Sequence, residues 1–340
     1  MRRTGWGIAF CMLGASAVTW LRLWAAGTPR IDQIALGPWA EPALFTAFGV
    51  VMALAARLYL RHEPMGSVRR LLWPALVIQG FAALALPFTS NDVFTNLATG
   101  RMMLRGINPY LAGPSALPAG DAFLGMVGLR WLDAATPYGP LVAWGDALAA
   151  RFGGVTAALL VFKLLLLACS ALVVLAVYAI CRRRLGERAA PAFALVAMNP
   201  LLAWEVAAQA HNDGFMVLAL AAFIWAALEE RETLAVLCLV AATFTKLAGA
   251  PVLALYLVYL ARRSPWKAAA MAGLTLAAGA ILCSPFWAGA DTLHGPMTAA
   301  MGDPARTARS LADFIGWLAD EIGRGDRPII ARIATQRTQP

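Results

Sequence analysis

Charge is what this chain has least of. Only 14% of its 340 residues are Asp, Glu, Lys or Arg, while 60% are hydrophobic and the mean hydropathy is +0.66. A soluble globule of this size needs a more charged surface, so that class is excluded. Cysteine usage excludes two more. Cys11, Cys169, Cys181, Cys238 and Cys283 lie in or beside apolar runs with no paired spacing, which gives neither a disulfide framework nor a metal site. There is no Walker loop, no dinucleotide glycine fingerprint and no nucleophile elbow, so a nucleotide substrate finds no home here. The net charge of +9 comes from short basic clusters between apolar runs, not from one face of a soluble helix, and nucleic acid is not read as a partner.

What is present is a succession of long uncharged runs, each near the length a helix needs to cross the hydrocarbon core of a membrane. Only helices and closed barrels satisfy their backbone in lipid, and the runs are helix-length rather than alternating ten-residue strands. The fold class is therefore all-α, a polytopic transmembrane helical bundle. About nine spans are expected, near residues 6–26, 43–60, 71–88, 155–181, 189–204, 214–228, 233–246, 249–261 and 268–288. Around Lys246 to Pro251 the pattern also fits one long broken helix. Residues 1–288 form the expected bundle, and 289–340 an outer C-terminal segment that is either short by design or truncated. The N-terminus has the charge and small-residue pattern of a signal peptide at Ala15-Ser16-Ala17, but its apolar run continues to about Ala26, which favours an uncleaved first span.

Orientation follows from the basic clusters. With Arg2 and Arg3 in the cytoplasm, "RHEPMGSVRR" (61–70), "CRRRLGER" (181–188), "EERE" (229–232) and "RRSPWK" (262–267) fall on the same side, as the positive-inside rule requires. A predominance of Arg over Lys and abundant Ala suggest a GC-rich bacterial genome and hence the cytoplasmic membrane. The remaining polar features then face outward: residues 89–154, the "AQAHNDG" turn (208–214) and the vicinity of Lys246.

The segment 89–154 is too long for an ordinary connection. Phe123, Leu124, Val127 and Trp131 recur at helical spacing and predict an interfacial helix over 121–132. "TPYGPLVAWGDALAARFG" (136–153) is apolar, broken by Pro and Gly, and too short to span, so a re-entrant or surface-lying helix is expected there.

The same segment opens on "SNDVFTNLATGRMMLRGINPY" (90–110), the densest polar stretch of the chain. Asp92 stands four residues past an apolar run and is either a helix cap or a reactive acid. Arg101 and Arg105, four apart, can face one way and match phosphate oxygens, as Lys246 can beside its Gly-Pro break. Glu205 near the end of a span, followed by His211, Asn212 and Asp213, forms a second group. A polar turn explains the last two residues alone, and a structural histidine explains His211. Asn91, Asn108 and Tyr138, with Glu205, His211, Asn212 and Asp213, are candidates for polar contacts to the substrate or acceptor. Lys163 interrupts "LLVFKLLLL" and is read as snorkelling. A divalent cation on Asp92 with Glu205 or Asp213 finds no supporting ligand spacing, and no cofactor is expected. One outward carboxylate with cations suits group transfer from a lipid phosphate. The leaving group is already an anion and needs cations, while one base deprotonates the acceptor hydroxyl.

"SNDVF…GRMMLRGINPY", "TPYGPL", "NPLLAWEVAAQAHNDG" and "TKLAGAPVLALYLVYL", in that order, resemble the polyprenol-phosphate-mannose-dependent α-mannosyltransferases and related GT-C integral membrane glycosyltransferases over residues 85–290. The resemblance implies a multi-span bundle with Asp92 as general base and a polyprenyl-phosphate sugar donor in the outer leaflet. It also implies a glycan or glycolipid acceptor and inversion at the anomeric carbon. The chain departs from the pattern at "ATG" (98–100), where Thr99 stands in place of a second acid. Two other readings stay open: a polytopic lipid or solute transporter, and an inactive GT-C relative that acts as an assembly partner. Polar residues at span ends, with no internal repeat, favour the enzyme over the transporter.

Overall fold

A computed structural model describes residues 2–26, 67–87, 90–293 and 295–297, with isolated positions 50, 53 and 57. The span expected at 43–60 and nearly all of the C-terminal segment lie outside the described residues. Among the described residues all regular structure is helical, with no strand. The helices are α1 (Arg2–Ala26), α2 (Arg69–Ala83), α3 (Asp92–Leu104), α4 (Pro140–Ala150), α5 (Val155–Arg184), α6 (Ala189–Ala197), α7 (Asp213–Leu228), α8 (Glu232–Thr245), α9 (Ala250–Arg263) and α10 (Pro265–Cys283).

Among the described residues, three helical stretches are long and apolar enough to cross a membrane: Val155–Arg184, Gly186–Ala208 and Pro265–Phe286. Gly5–Leu21, Asp213–Leu228 and Glu232–Thr245 are apolar but shorter. The expected span at 189–204 is not one smooth helix. After α6 the chain breaks at Asn199, whose side chain accepts from the Leu201 amide at 2.9 Å, and then runs through a single turn into a π-helix at Ala203–Ala208. The long-broken-helix alternative around Lys246 resolves into two helices. Lys246 is extended, Leu247–Gly249 makes a tight turn, and α9 starts with Pro251 in its first turn, where a missing N–H costs nothing.

Loop 89–154 differs from expectation in two places. Its opening stretch is a full helix, α3, with Asp92 in the first turn, where a carboxylate complements the helix dipole. The predicted interfacial helix over 121–132 does not form: only short turns occur at Leu124–Met126 and Leu129–Trp131. The reason is local. Asp121 Oδ1 accepts the Phe123 amide at 3.1 Å, and Gly128 is extended, so turn chemistry outcompetes a helix despite the apolar spacing. The second expected helix is present as α4, with Gly139 before it and Pro140 opening it.

Among the described residues, three large apolar cores hold the bundle, beside a small cluster of Tyr110, Ala143 and Phe286. Ala9 and Met12 of α1 pack with Leu71, Ala75 and Ile78 of α2 and Phe193 of α6. Small residues dominate this interface, which lets helix backbones approach closely where lipid offers no hydrophobic drive. Side chains of α1 also satisfy the end of α2: Ser16 Oγ donates to the Phe81 carbonyl at 2.6 Å and Trp20 Nε1 to the Leu84 carbonyl at 2.7 Å. A second core joins Phe94, Leu97 and Met102 of α3 to Leu159, Phe162 and Leu166 of α5. The third unites Val236 and Leu239 of α8, Leu253 and Leu260 of α9 and Ala268 of α10.

Among the described residues, one end of the bundle gathers the clusters at 181–188, 229–232 and 262–267. Arg183 pairs with Glu229 at 2.9 Å, Arg184 donates to the Leu228 carbonyl, and Lys267 pairs with Glu232 at 2.9 Å. These contacts put the C-termini of α5 and α7 beside the N-termini of α8 and α10, and the polar turn at the start of α7 belongs to the other end of the same helices.

Candidate functional site

α7 and α8 form an antiparallel hairpin, so the first residue of α7 meets the residue just past α8. Lys246 Nζ donates to Asp213 Oδ1 at 2.8 Å and stands 5.6 Å from the centre of the Tyr138 ring. Tyr138 reaches this place because the 136–139 segment docks on the end of α8. The Gly139 amide donates to the Thr245 carbonyl at 2.9 Å, satisfying an otherwise orphaned helix-end acceptor. Only glycine fits there, since a Cβ at 139 would overlap the Phe244 carbonyl.

The π-helix supplies the second half. It ends with the Gln209 amide on the Trp204 carbonyl, then Ala210 takes a left-handed conformation (φ 57°) and the His211 amide closes on the Glu205 carbonyl at 3.0 Å. This path returns His211 over Glu205. His211 Nε2 lies 3.4 Å from Glu205 Oε2, and Nδ1 lies 4.0 Å from Asp92 Oδ2. One imidazole thus stands between two carboxylates from different elements, all three partly exposed. Wide helical turns of this kind are frequent at functional sites.

Asn212 is buried beneath this array. Its side chain hydrogen-bonds the Tyr138 phenol and, at 3.5 Å, donates to Asn96 Oδ1 one turn along α3 from Asp92. Burial, together with the nearby Asp92 and Asp213 charges, pushes the Tyr138 phenol well above its ordinary range, so it stays a neutral donor.

Seven of the sequence-derived candidates therefore form one neighbourhood: Asp92, Tyr138, Glu205, His211, Asn212, Asp213 and Lys246. Asn91 immediately precedes Asp92 as the residue before α3, and its side chain does not cap the helix. The others lie apart. Arg101 Nε donates to Asp121 Oδ2 at 3.0 Å, and Arg105 approaches the same oxygen at 3.8 Å. The two guanidiniums do face one way, but nine residues separate Arg101 from Asp92, about 13 Å along a helix axis. Burial works against Asp121 ionising, yet the Phe123 amide and the Arg101 guanidinium outweigh it and hold the carboxyl below its usual range. Asn108 donates to the Phe286 carbonyl at 2.8 Å and accepts the Tyr110 amide at 3.0 Å, a tie between the loop and the end of α10.

Three residues outside the candidate list attach to this neighbourhood. Asn96 was legible as a polar residue four positions after Asp92 on one helix face. Lys163 does not snorkel: it is buried, and Nζ donates to the Ala207 carbonyl at 3.0 Å and to that of Ala208. Asp146 on α4 is fully buried, neither carboxyl oxygen has a hydrogen-bond partner among the described residues, and burial pushes it well above the ordinary carboxyl range. Its backbone lies against Gly100, where a Cβ would overlap the Asp146 carbonyl, and the preceding residue Thr99 is buried. Among the described residues no three His, Cys, Asp or Glu side chains converge as a metal-ligating group.

Membrane-length helices with acids, an imidazole and an ammonium collected at helix ends place the chain among integral membrane helical proteins. A family model described as alpha-(1->6)-mannopyranosyltransferase, N-terminal domain, matches residues 3–262, and the chain belongs to that family, of the GT-C type. An alpha-(1->6)-mannopyranosyltransferase of Mycobacterium tuberculosis is 34% identical over 137 residues, covering 39% of this chain and 23% of that relative. Alpha-(1->6)-mannopyranosyltransferase A of Corynebacterium glutamicum is 30% identical over 169 residues, covering 49% of this chain and 33% of the relative. The chain thus spans a third or less of these relatives' length. No solved structure matches it.

Proposed function

We propose that the chain is a multi-pass enzyme of the bacterial cytoplasmic membrane that moves a mannosyl residue from a polyprenyl-phosphate donor to an acceptor hydroxyl on the outer face. The observation that carries this reading is the Asp92–His211–Glu205 array beside the Lys246–Asp213 pair. It sets a proton acceptor next to a cation, which is what displacement of a phosphate-linked sugar requires.

In this reading Asp92 takes the proton of the acceptor hydroxyl as its oxygen forms a bond to the anomeric carbon. The bond from that carbon to the phosphate oxygen breaks, and the electron pair leaves with the polyprenyl phosphate. Attack from the opposite side inverts the anomeric centre. Lys246 offsets charge growing on the phosphate by exchanging Asp213 for it, and Tyr138 and Asn212 present neutral donors to sugar hydroxyls. His211, between Asp92 and Glu205, fixes the orientation of the base. Arg101 and Arg105 are engaged by Asp121 at the far end of α3, so their proposed part is to hold the 113–134 loop rather than to touch the phosphate beside Asp92.

Outward orientation is supported by the ends at which the residues collect: basic clusters at one, the polar array at the other. The test is to incubate membranes carrying the full chain with a panel of radiolabelled polyprenyl-phosphate sugars and a glycan acceptor. Label from the mannosyl donor should pass to a new product. Transfer of none of the labels overturns the reading in favour of an inactive relative.

A further inference from the structure

We propose that Lys163, on α5, is a positioning residue that sets the His211 turn from inside the bundle. The proposal rests on the functional reading above for its link to transfer, and on geometry alone for its link to the turn.

The π-helix ends at Ala208, and amides just beyond it are spent on earlier carbonyls, Gln209 on Trp204 and His211 on Glu205, which leaves the carbonyls of Ala207 and Ala208 to another donor. In a soluble protein water would occupy them. Here they are buried between helices, where an unpaired carbonyl is costly. The chain solves this with a side chain from another helix: Lys163 Nζ reaches across to Ala207 at 3.0 Å and also to Ala208. Both carbonyls are held by one nitrogen, 44 and 45 residues away in sequence.

Three residues beyond Ala208 stands His211, and between them lies the left-handed Ala210. The turn therefore has one anchor on each side of His211: the Lys163 contact before it, and the buried Asn212 side chain with its Asn96 and Tyr138 partners after it. Because the imidazole sits 3.4 Å from Glu205 and 4.0 Å from Asp92, a small shift of the turn alters both separations. Misplacement of reacting groups by about 1 Å can cost on the order of a hundredfold in rate. The chain neighbours of Lys163 in "LLVFKLLLL" are all apolar, so apolar packing alone does not call for a lysine there.

The experiment uses the full chain in nanodiscs with Lys163→Met, Lys163→Arg and Asp92→Asn variants. Amide hydrogen exchange reads residues 208–214, and transfer is followed with polyprenyl-phosphate mannose and an alkyl mannoside acceptor. Lys163→Met should speed exchange in 208–214 while the rest of α7 and all of α8 remain protected, and should lower kcat on the order of a hundredfold with donor KM nearly unchanged. Lys163→Arg, which keeps a donor, should restore protection and part of kcat. Unchanged exchange in Lys163→Met overturns the positioning role whatever the transfer rate, and faster exchange with wild-type kcat overturns its service to the reaction. Asp92→Asn separates the two ideas: wild-type transfer in that variant defeats the functional reading, while the exchange result still decides the structural one. If Lys163→Met does not fold, loss of protection in 208–214 alone in Lys163→Gln supports the role, and uniform loss opposes it.

Discussion

Lys246 and Asp213 close the open end of a helical hairpin at 2.8 Å, although 33 residues separate them in sequence. Each is somewhat more than a third exposed, so the pair is open to exchange with an incoming anion rather than locked.

The first prediction follows from that exposure. Lys246→Gln should raise the donor KM by about tenfold or more, the scale of one charge-assisted contact to phosphate. Arg101→Gln should change donor KM far less and instead loosen the 113–134 loop, because Arg101 is held by Asp121. Donor titration of both variants checks this, and equal KM effects would place the arginines in the donor site after all.

Asp92→Asn preserves shape and removes the basic oxygen. The protein should insert normally and bind donor, yet transfer should fall by roughly a hundredfold or more. Transfer rates at matched protein levels are the measurement. A loss of only a few-fold would leave Asp92 as a helix-start residue and shift attention to Glu205.

Topology provides a third outcome. Single cysteines placed at Gly186 and Ser264 should react only with reagent on the cytoplasmic side, and those at Pro114 and Asn212 only from outside. Asn212 and Pro114 are buried, so reporter tags in the same turns serve as second probes. Cytoplasmic labelling at Pro114 reverses the orientation.

A fourth concerns Asp146. Its folded-state carboxyl is held above the ordinary value of 3.8 by burial, so the folded chain keeps a proton that the unfolded chain releases. This opposes folding increasingly as pH rises above about 3.8 and has no effect well below it. Asp146→Asn removes the ionisable group without changing size. Its melting temperature should match the wild type near pH 4 and exceed it increasingly toward pH 8, which thermal melts in detergent across that range will test.

How far the sequence could be read depends on which contacts are local. Run length alone places α5 and α10, because a membrane-length apolar helix has few alternatives, and the shorter apolar runs of α7 and α8 are bounded by polar residues on both sides. The "HNDG" turn and Asp92 stand out as polar breaks beside apolar runs, and the structure brings them together. Arg101 and Arg105 show the limit. Their spacing fixes that they point the same way, but Asp121, twenty residues later, decides what they point at. Lys163 is a sharper case, since one buried lysine reads alike whether its nitrogen reaches lipid headgroups or a carbonyl on another helix. The helix expected over 121–132 failed because apolar spacing is weaker there than the turn chemistry of Asp121 and Gly128.

The wide turn at Ala203–Ala208 also constrains how this stretch can vary in length. A π-helix holds one residue more than an α-helix of the same reach, and each residue advances the face by about 100°. Deleting a single residue between Leu202 and Gln209 would let the segment relax to ordinary winding and carry Glu205 away from His211, while adding one would swing it past. Composition there can drift among small apolar residues, but the residue count is fixed by the imidazole it must return to. The Pro- and Gly-rich stretch at 113–120 meets no such condition, so changes of length should collect there and be absent here.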